Sequence, residues 1–125
     1  MMLIDKICVQ QVLGSLIKRP QILSEVDKYN FVVSDFPSKF EKSIFTAIYG
    51  LYRNGASVIT PLDISDFLST NEAAKQIFDS QNGIEYLQDI EEFCNIENFP
   101  YYYNKLKKLN LLKDLKKQGI DISEF

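Results

Sequence analysis

Residues 38–55 read SKFEKSIFTAIYGLYRNG, and they settle the class of the fold. Ser38 followed three residues later by Glu41 is a capping box, in which hydroxyl and carboxylate each accept from the other's backbone N–H and start a helix. Phe40, Ile44, Ala47, Ile48, Leu51 and Tyr52 then recur at three- and four-residue steps, which puts them on one stripe of that helix. Gly55, after Asn54, supplies the left-handed stop that helices favour.

The same logic extends in both directions from this helix. Thr60-Pro61-Leu62-Asp63 combines a threonine cap, proline in the first turn and an acid at the positive end of the helix dipole, predicting a helix to near Ser69. Asn71 caps another short helix with Ala74, Ile77 and Phe78, and Asn82 with Glu85 opens a further one carrying Ile84, Leu87, Ile90 and Phe93. Residues 101–118 place Tyr102 or Tyr103, Leu106, Leu109, Leu112 and Leu115 at helical steps with lysines on the other faces. Towards the N-terminus, Ile4, Ile7, Cys8, Val12, Leu16 and Ile17 form one buried stripe of a helix ending near Lys18. Pro20 opens a short second helix with Ile22, Leu23 and Val26 on its apolar side, and residues 29–36 read as a connection. Every element is helical, so the chain is expected to be all-α. One helical domain over 1–118 is expected, with a tail or the start of a linker or hairpin over 119–125 after the break at Gly119.

Composition narrows the function. A chain of 125 residues with 46% hydrophobic side chains has material for one globular domain with one core. Its formal charge of −3 is a poor footprint for a domain that grips phosphates. The charges are nonetheless polarised: residues 62–97 hold nine acids and one lysine, whereas residues 105–117 hold six lysines and one aspartate. There is no histidine, which excludes histidine-based triads, histidine–metal sites and imidazole relays. The five glycines are dispersed and none belongs to a phosphate-cradling Gly-x-x-x-x-Gly-Lys loop. Cys8 and Cys94 lie among apolar neighbours and read as reduced core thiols. Glu91 and Glu92, adjacent on a helix, point in different directions and read as a solvated face. No catalytic and no metal-ligating residue is therefore expected. No apolar run reaches the ~20 residues that span a bilayer, and residues 1–8 carry no signal-peptide pattern; a cytoplasmic protein without membrane contact is expected.

Tyr101, Tyr102 and Tyr103 beside the lysine-rich helix invite comparison with single-strand binders, in which rings stack on bases and lysines meet phosphates. The net acidity weighs against that reading. It favours one in which one or two tyrosines anchor the helix to the core while the lysines keep it soluble.

The order of features carries a resemblance. Gln10-Gln11-Val12-Leu13-Gly14-Ser15-Leu16 looks like the opening helix of the N-terminal domain of DnaB-type replicative helicases. Asp35-Phe36 and then Ile44-Phe45-Thr46-Ala47-Ile48 resemble that family's acidic-aromatic loop and the aromatic-rich helix after it. Thr60-Pro61-Leu62-Asp63 with Phe67-Leu68, then Asn82-Gly83-Ile84-Glu85-Tyr86-Leu87, and finally residues 98–115 are similar to the elements that follow. The match spans about residues 9–118. Phe40 or Glu41 stands where family members commonly carry histidine, and Val9 where an acid precedes the Gln10 position; these departures mark a divergent member of phage or mobile-element type.

The resemblance implies a compact orthogonal bundle of about six helices, belonging to the collar of a hexameric ring and recruiting primase or a helicase loader. ATP and magnesium belong only to the family's ATPase domain, which is missing here, so no cofactor is implied for this chain. The family's oligomerising hairpin would begin at residues 119–125, so a weak dimer or a monomer is expected. A stand-alone phage replication adaptor or helicase inhibitor with the same fold is the alternative, alongside a single-stranded nucleic-acid-binding module. Apolar and tyrosine-rich ends flanked by opposite charge blocks suit docking of other helices, and Tyr101, Tyr102, Lys105, Lys108 and Lys113 are the candidate partner-binding residues.

Overall fold

The computed structural model describes residues 6–25 and 27–117, with residues 110–117 described as helix backbone only. Ile4, Val26 and the expected tail at 119–125 lie outside the described residues. Among the described residues six α-helices follow one another: α1 (Lys6–Lys18), α2 (Lys39–Arg53), α3 (Pro61–Leu68), α4 (Glu72–Ser80), α5 (Gly83–Phe93) and α6 (Phe99–Lys117). The chain folds as an all-α bundle, and among the described residues there is no strand.

The helix starts are those that local chemistry dictates. At α2 the Ser38 hydroxyl accepts from the Glu41 N–H at 3.3 Å and the Glu41 carboxylate accepts from the Ser38 N–H at 2.9 Å. Thr60 and Asp63 repeat the exchange at 3.2 and 3.0 Å, and Asn71 accepts from the Ala74 N–H at 3.2 Å. Gly55 stops α2 with φ +101°, a conformation open to a residue without Cβ.

Four expectations are corrected. The Asn82–Glu85 cap does not form: Asn82 sits in the left-handed region at φ 53°, ψ 53° and makes no side-chain cap bond. The turn out of α4 demands that conformation, which asparagine tolerates better than most residues. The stretch at Pro20 is a 3-10 turn, Pro20–Ser24, and residues 29–36 are more than a connection, because they contain a second such turn, Val33–Asp35, send Phe36 into the core and pack Tyr29 and Phe31 against it. Ile7, expected in the α1 stripe, is 64% exposed.

That last difference follows from how α1 is surrounded. It packs on α5 along one side and on α6 along another, with α2 approaching a third, so Cys8, Val9 and every residue from Gln11 to Ile17 are buried. The exposed residues of α1 lie at its two ends, Lys6 and Ile7 in the first turn and Lys18 in the last. The closest approach is at Gly14, where a Cβ would stand 2.5 Å from the Ile90 carbonyl oxygen and 2.9 Å from the Cys94 Cβ. Gln11 adds a polar tie, its side-chain oxygen accepting from the Asn95 N–H at 2.7 Å. On the far side of the bundle, α2 packs against α3 and α4.

Candidate protein-interaction surface

Helix α6 carries the residues singled out from sequence, and the core holds it along one face. Phe99, Tyr103 and Leu106 are buried there. The Tyr103 ring meets Tyr29 edge-on at 4.9 Å and Phe31 at 5.1 Å. Its hydroxyl accepts from the Asn30 N–H at 2.8 Å and donates to the Asn30 carbonyl at 3.3 Å, as a buried phenol must to satisfy its polar tip. The Cys8 thiol donates to the Tyr102 carbonyl at 3.0 Å, fastening α6 to α1.

A fourth tie is ionic. Asp35, whose side chain is fully buried, pairs with Lys107 at 2.9 Å and also accepts from the Val32 N–H at 2.9 Å. Next to it, Phe36 is buried and stacks on Phe45 at 4.8 Å. The acidic-aromatic pair therefore works as one device, the ring fixing the turn to α2 and the carboxylate reaching across to α6.

The opposite face of α6 is open over residues 101–109. Tyr101 is 61% exposed, and the Lys105 ammonium lies over its ring at 5.9 Å from the centroid, a cation–π arrangement. Lys108 stands one turn further along. Tyr101, Asn104, Lys105, Lys108 and Leu109 line an open groove of about 450 Å³. Of the five candidates, the structure brings Tyr101, Lys105 and Lys108 to this one face. Tyr102 is half-buried, packed against the core with its ring edge-on to Tyr101 at 5.2 Å. The Lys113 side chain lies outside the described residues. Helical spacing puts Asn104 and Leu109 beside the chosen residues, so they could have been found with the stripe that named them.

Among the described residues no group of three or more acids, cysteines or histidines could hold a metal ion. Burial pushes the Cys94 thiol above its ordinary range, the direction of an inert core thiol. Burial, assisted by the nearby Glu41 carboxylate, likewise raises the Tyr86 phenol well above its usual value. One more exposed side chain stands out. Phe93, expected in the α5 core stripe, is 54% exposed, because Leu87, Ile90 and Cys94 occupy the buried arc and Phe93 falls about a quarter-turn away from it.

A bundle whose first helix is clasped by its fifth and sixth, with the Gln10–Leu16 and Asp35–Phe36 elements at the clasp, is matched over residues 8–108 by the family model of the DnaB-like helicase N terminal domain. The chain belongs to this family. The matched span runs from the thiol that fastens α6 to α1 through to Lys108 on the open face, so it includes the core and the candidate surface alike. This DnaB-like domain is also 41% identical over 124 residues to the SPbeta prophage-derived uncharacterized protein YorI of Bacillus subtilis strain 168. The similarity covers 99% of this chain and 25% of the relative, so the chain spans about a quarter of the length of the curated protein it matches. No solved structure matches it. No helix among the described residues is long and apolar enough to cross a membrane.

Proposed function

We propose that this helicase-associated N-terminal domain is the protein-interaction and self-association module of a replicative helicase of prophage type, acting in the cytoplasm during DNA replication. Its partners are other copies of itself and a primase or helicase loader. ATP and Mg²⁺ act in the ATPase part of the whole protein and are not held by this domain. The observation that carries the reading is the two-sidedness of α6: core rings and the Asp35–Lys107 pair fix one face, while Tyr101, Lys105 and Lys108 border an open groove on the other. A rigid aromatic ring flanked by cations on an immobilised helix is the kind of anchor that protein interfaces favour. Binding of single-stranded nucleic acid is the weaker reading. Tyr103 is committed to the core and Tyr102 is half-buried, which leaves one of the three rings available for stacking on bases.

Light scattering of the chain, alone and mixed with the primase C-terminal domain from the same source at tens of micromolar, tests the proposal. A self-complex or a stoichiometric mixed complex that Tyr101→Ser weakens is the expected result. Monomers in both samples, or complexes indifferent to Tyr101→Ser, overturn it.

A further inference from the structure

Two solvent-facing helix stripes of this chain, one exposed on α5 and one partly exposed on α6, are complementary to each other. Along α5, Glu85, Asp89 and Phe93 recur at four-residue steps and all three are exposed. They form one stripe with two acids towards the N-terminus of the helix and an apolar ring at its end. Glu85 and Asp89, with Asp79 and Gln88, border an open, acidic concavity. Along α6, Tyr101, Lys105 and Lys108 form a second stripe with the ring first and the cations after it, beside the apolar Leu109. The order of chemistry on α5 is acid, acid, ring. On α6 it is ring, cation, cation.

We infer that α5 of one copy docks antiparallel along the α6 groove of a second copy, with Phe93 on Tyr101, Asp89 beside Lys105 and Glu85 beside Lys108. The inference rests on the reading of the open α6 face as a protein-contact surface and names its occupant. The register supports it: at about 1.5 Å per residue, the span from position 85 to 93 is about 12 Å and that from 101 to 108 about 10 Å. The three pairs therefore fall into line together. Parallel docking would keep Asp89 beside Lys105 but set Glu85 against Tyr101 and Phe93 against Lys108, so three complementary pairs against one select the antiparallel arrangement. Phe93 gains a dry surface that its own chain does not give it, since it is 54% exposed there, and Lys105 already lies against the ring that Phe93 would cover. Each chain carries both stripes, so the contact can be made twice in a two-fold pair or repeated head to tail.

Sedimentation equilibrium of the full chain at low salt, over a wide concentration range, provides the test. The wild type is expected to rise above its 14.5 kDa monomer mass, and Phe93→Ser to remain monomeric over the same range. Asp89→Lys and Lys105→Glu should each weaken association about tenfold by replacing an attraction with a repulsion. An equimolar mixture of those two variants should regain wild-type association, because the reversed charges then face each other. Far-ultraviolet circular dichroism verifies that each variant is folded. A wild type that stays monomeric throughout, or variants and mixture that associate like the wild type, would overturn the inference. If Tyr101→Ser abolishes association while Asp89→Lys and Phe93→Ser do not, the α6 surface stands and α5 is not its occupant. If primase binding survives Phe93→Ser while self-association is lost, the two contacts are separate.

Discussion

Gly14→Ala sets two effects of opposite sign against each other at the tightest point of the fold. In an exposed helix the change to alanine stabilises by about 1 kcal/mol, through lower backbone entropy in the unfolded chain. Here the new Cβ would stand 2.5 Å from the Ile90 carbonyl oxygen and 2.9 Å from the Cys94 Cβ. Both obstacles are in or next to the α5 backbone, so relief requires α1 and α5 to move apart along a contact that buries Val12, Leu13, Leu87 and Ile90. Overpacking of this kind costs about 3 kcal/mol at the upper end of its usual range, which leaves a net loss of about 2 kcal/mol. For a domain of this size that lowers the melting temperature by roughly 8 °C. Gly50→Ala is the matched control: its new Cβ meets the tip of the Phe67 ring at 2.5 Å, and that half-buried side chain can swing aside, so a change within about 0.5 kcal/mol is expected. Urea unfolding followed by circular dichroism reads both variants. If Gly14→Ala is as stable as the wild type or more so, the close crossing of α1 and α5 is wrong.

Two further outcomes follow from the ties described above. Lys107→Met takes the cation from the buried Asp35 carboxylate, 2.9 Å away; with Lys107 itself partly solvated, a loss of about 2 kcal/mol is expected. Asp35→Asn should then be less harmful in that background than in the wild type, and a double-mutant cycle without coupling would refute the pairing. Tyr86 tests the pH dependence: a phenol raised by burial and by Glu41 stays neutral in the folded chain while the unfolded chain ionises from about pH 10. Its contribution is complete below that pH and is lost as pH rises towards the higher folded value. Stability measured from pH 8 to 11 should therefore fall less steeply in Tyr86→Phe than in the wild type, and parallel curves would show that the phenol is not shielded.

The starts of α2, α3 and α4 were legible in the sequence, because those decisions are made by groups within three or four residues of one another. Ser38 and Glu41, Thr60 and Asp63, and Asn71 with Ala74 satisfy each other's hydrogen bonds locally, and Gly55 ends α2 by its own conformational freedom. The family was legible for a similar reason, since its marks at Gln10–Leu16, Asp35–Phe36 and the later caps are short motifs in a recognisable order. The facing of side chains was legible only where one neighbour decides it. Tertiary structure alone decided that α1 is buried nearly all round, that Asn82 turns left-handed, and that Tyr103 goes inward while Tyr101 stays out. It also left Phe93 exposed and gave Asp35 a partner 72 residues away. Helical periodicity names an apolar arc without saying how many helices will cover it. That number, and with it the open face of α6 at residues 101–109, is set by which segments the chain brings together.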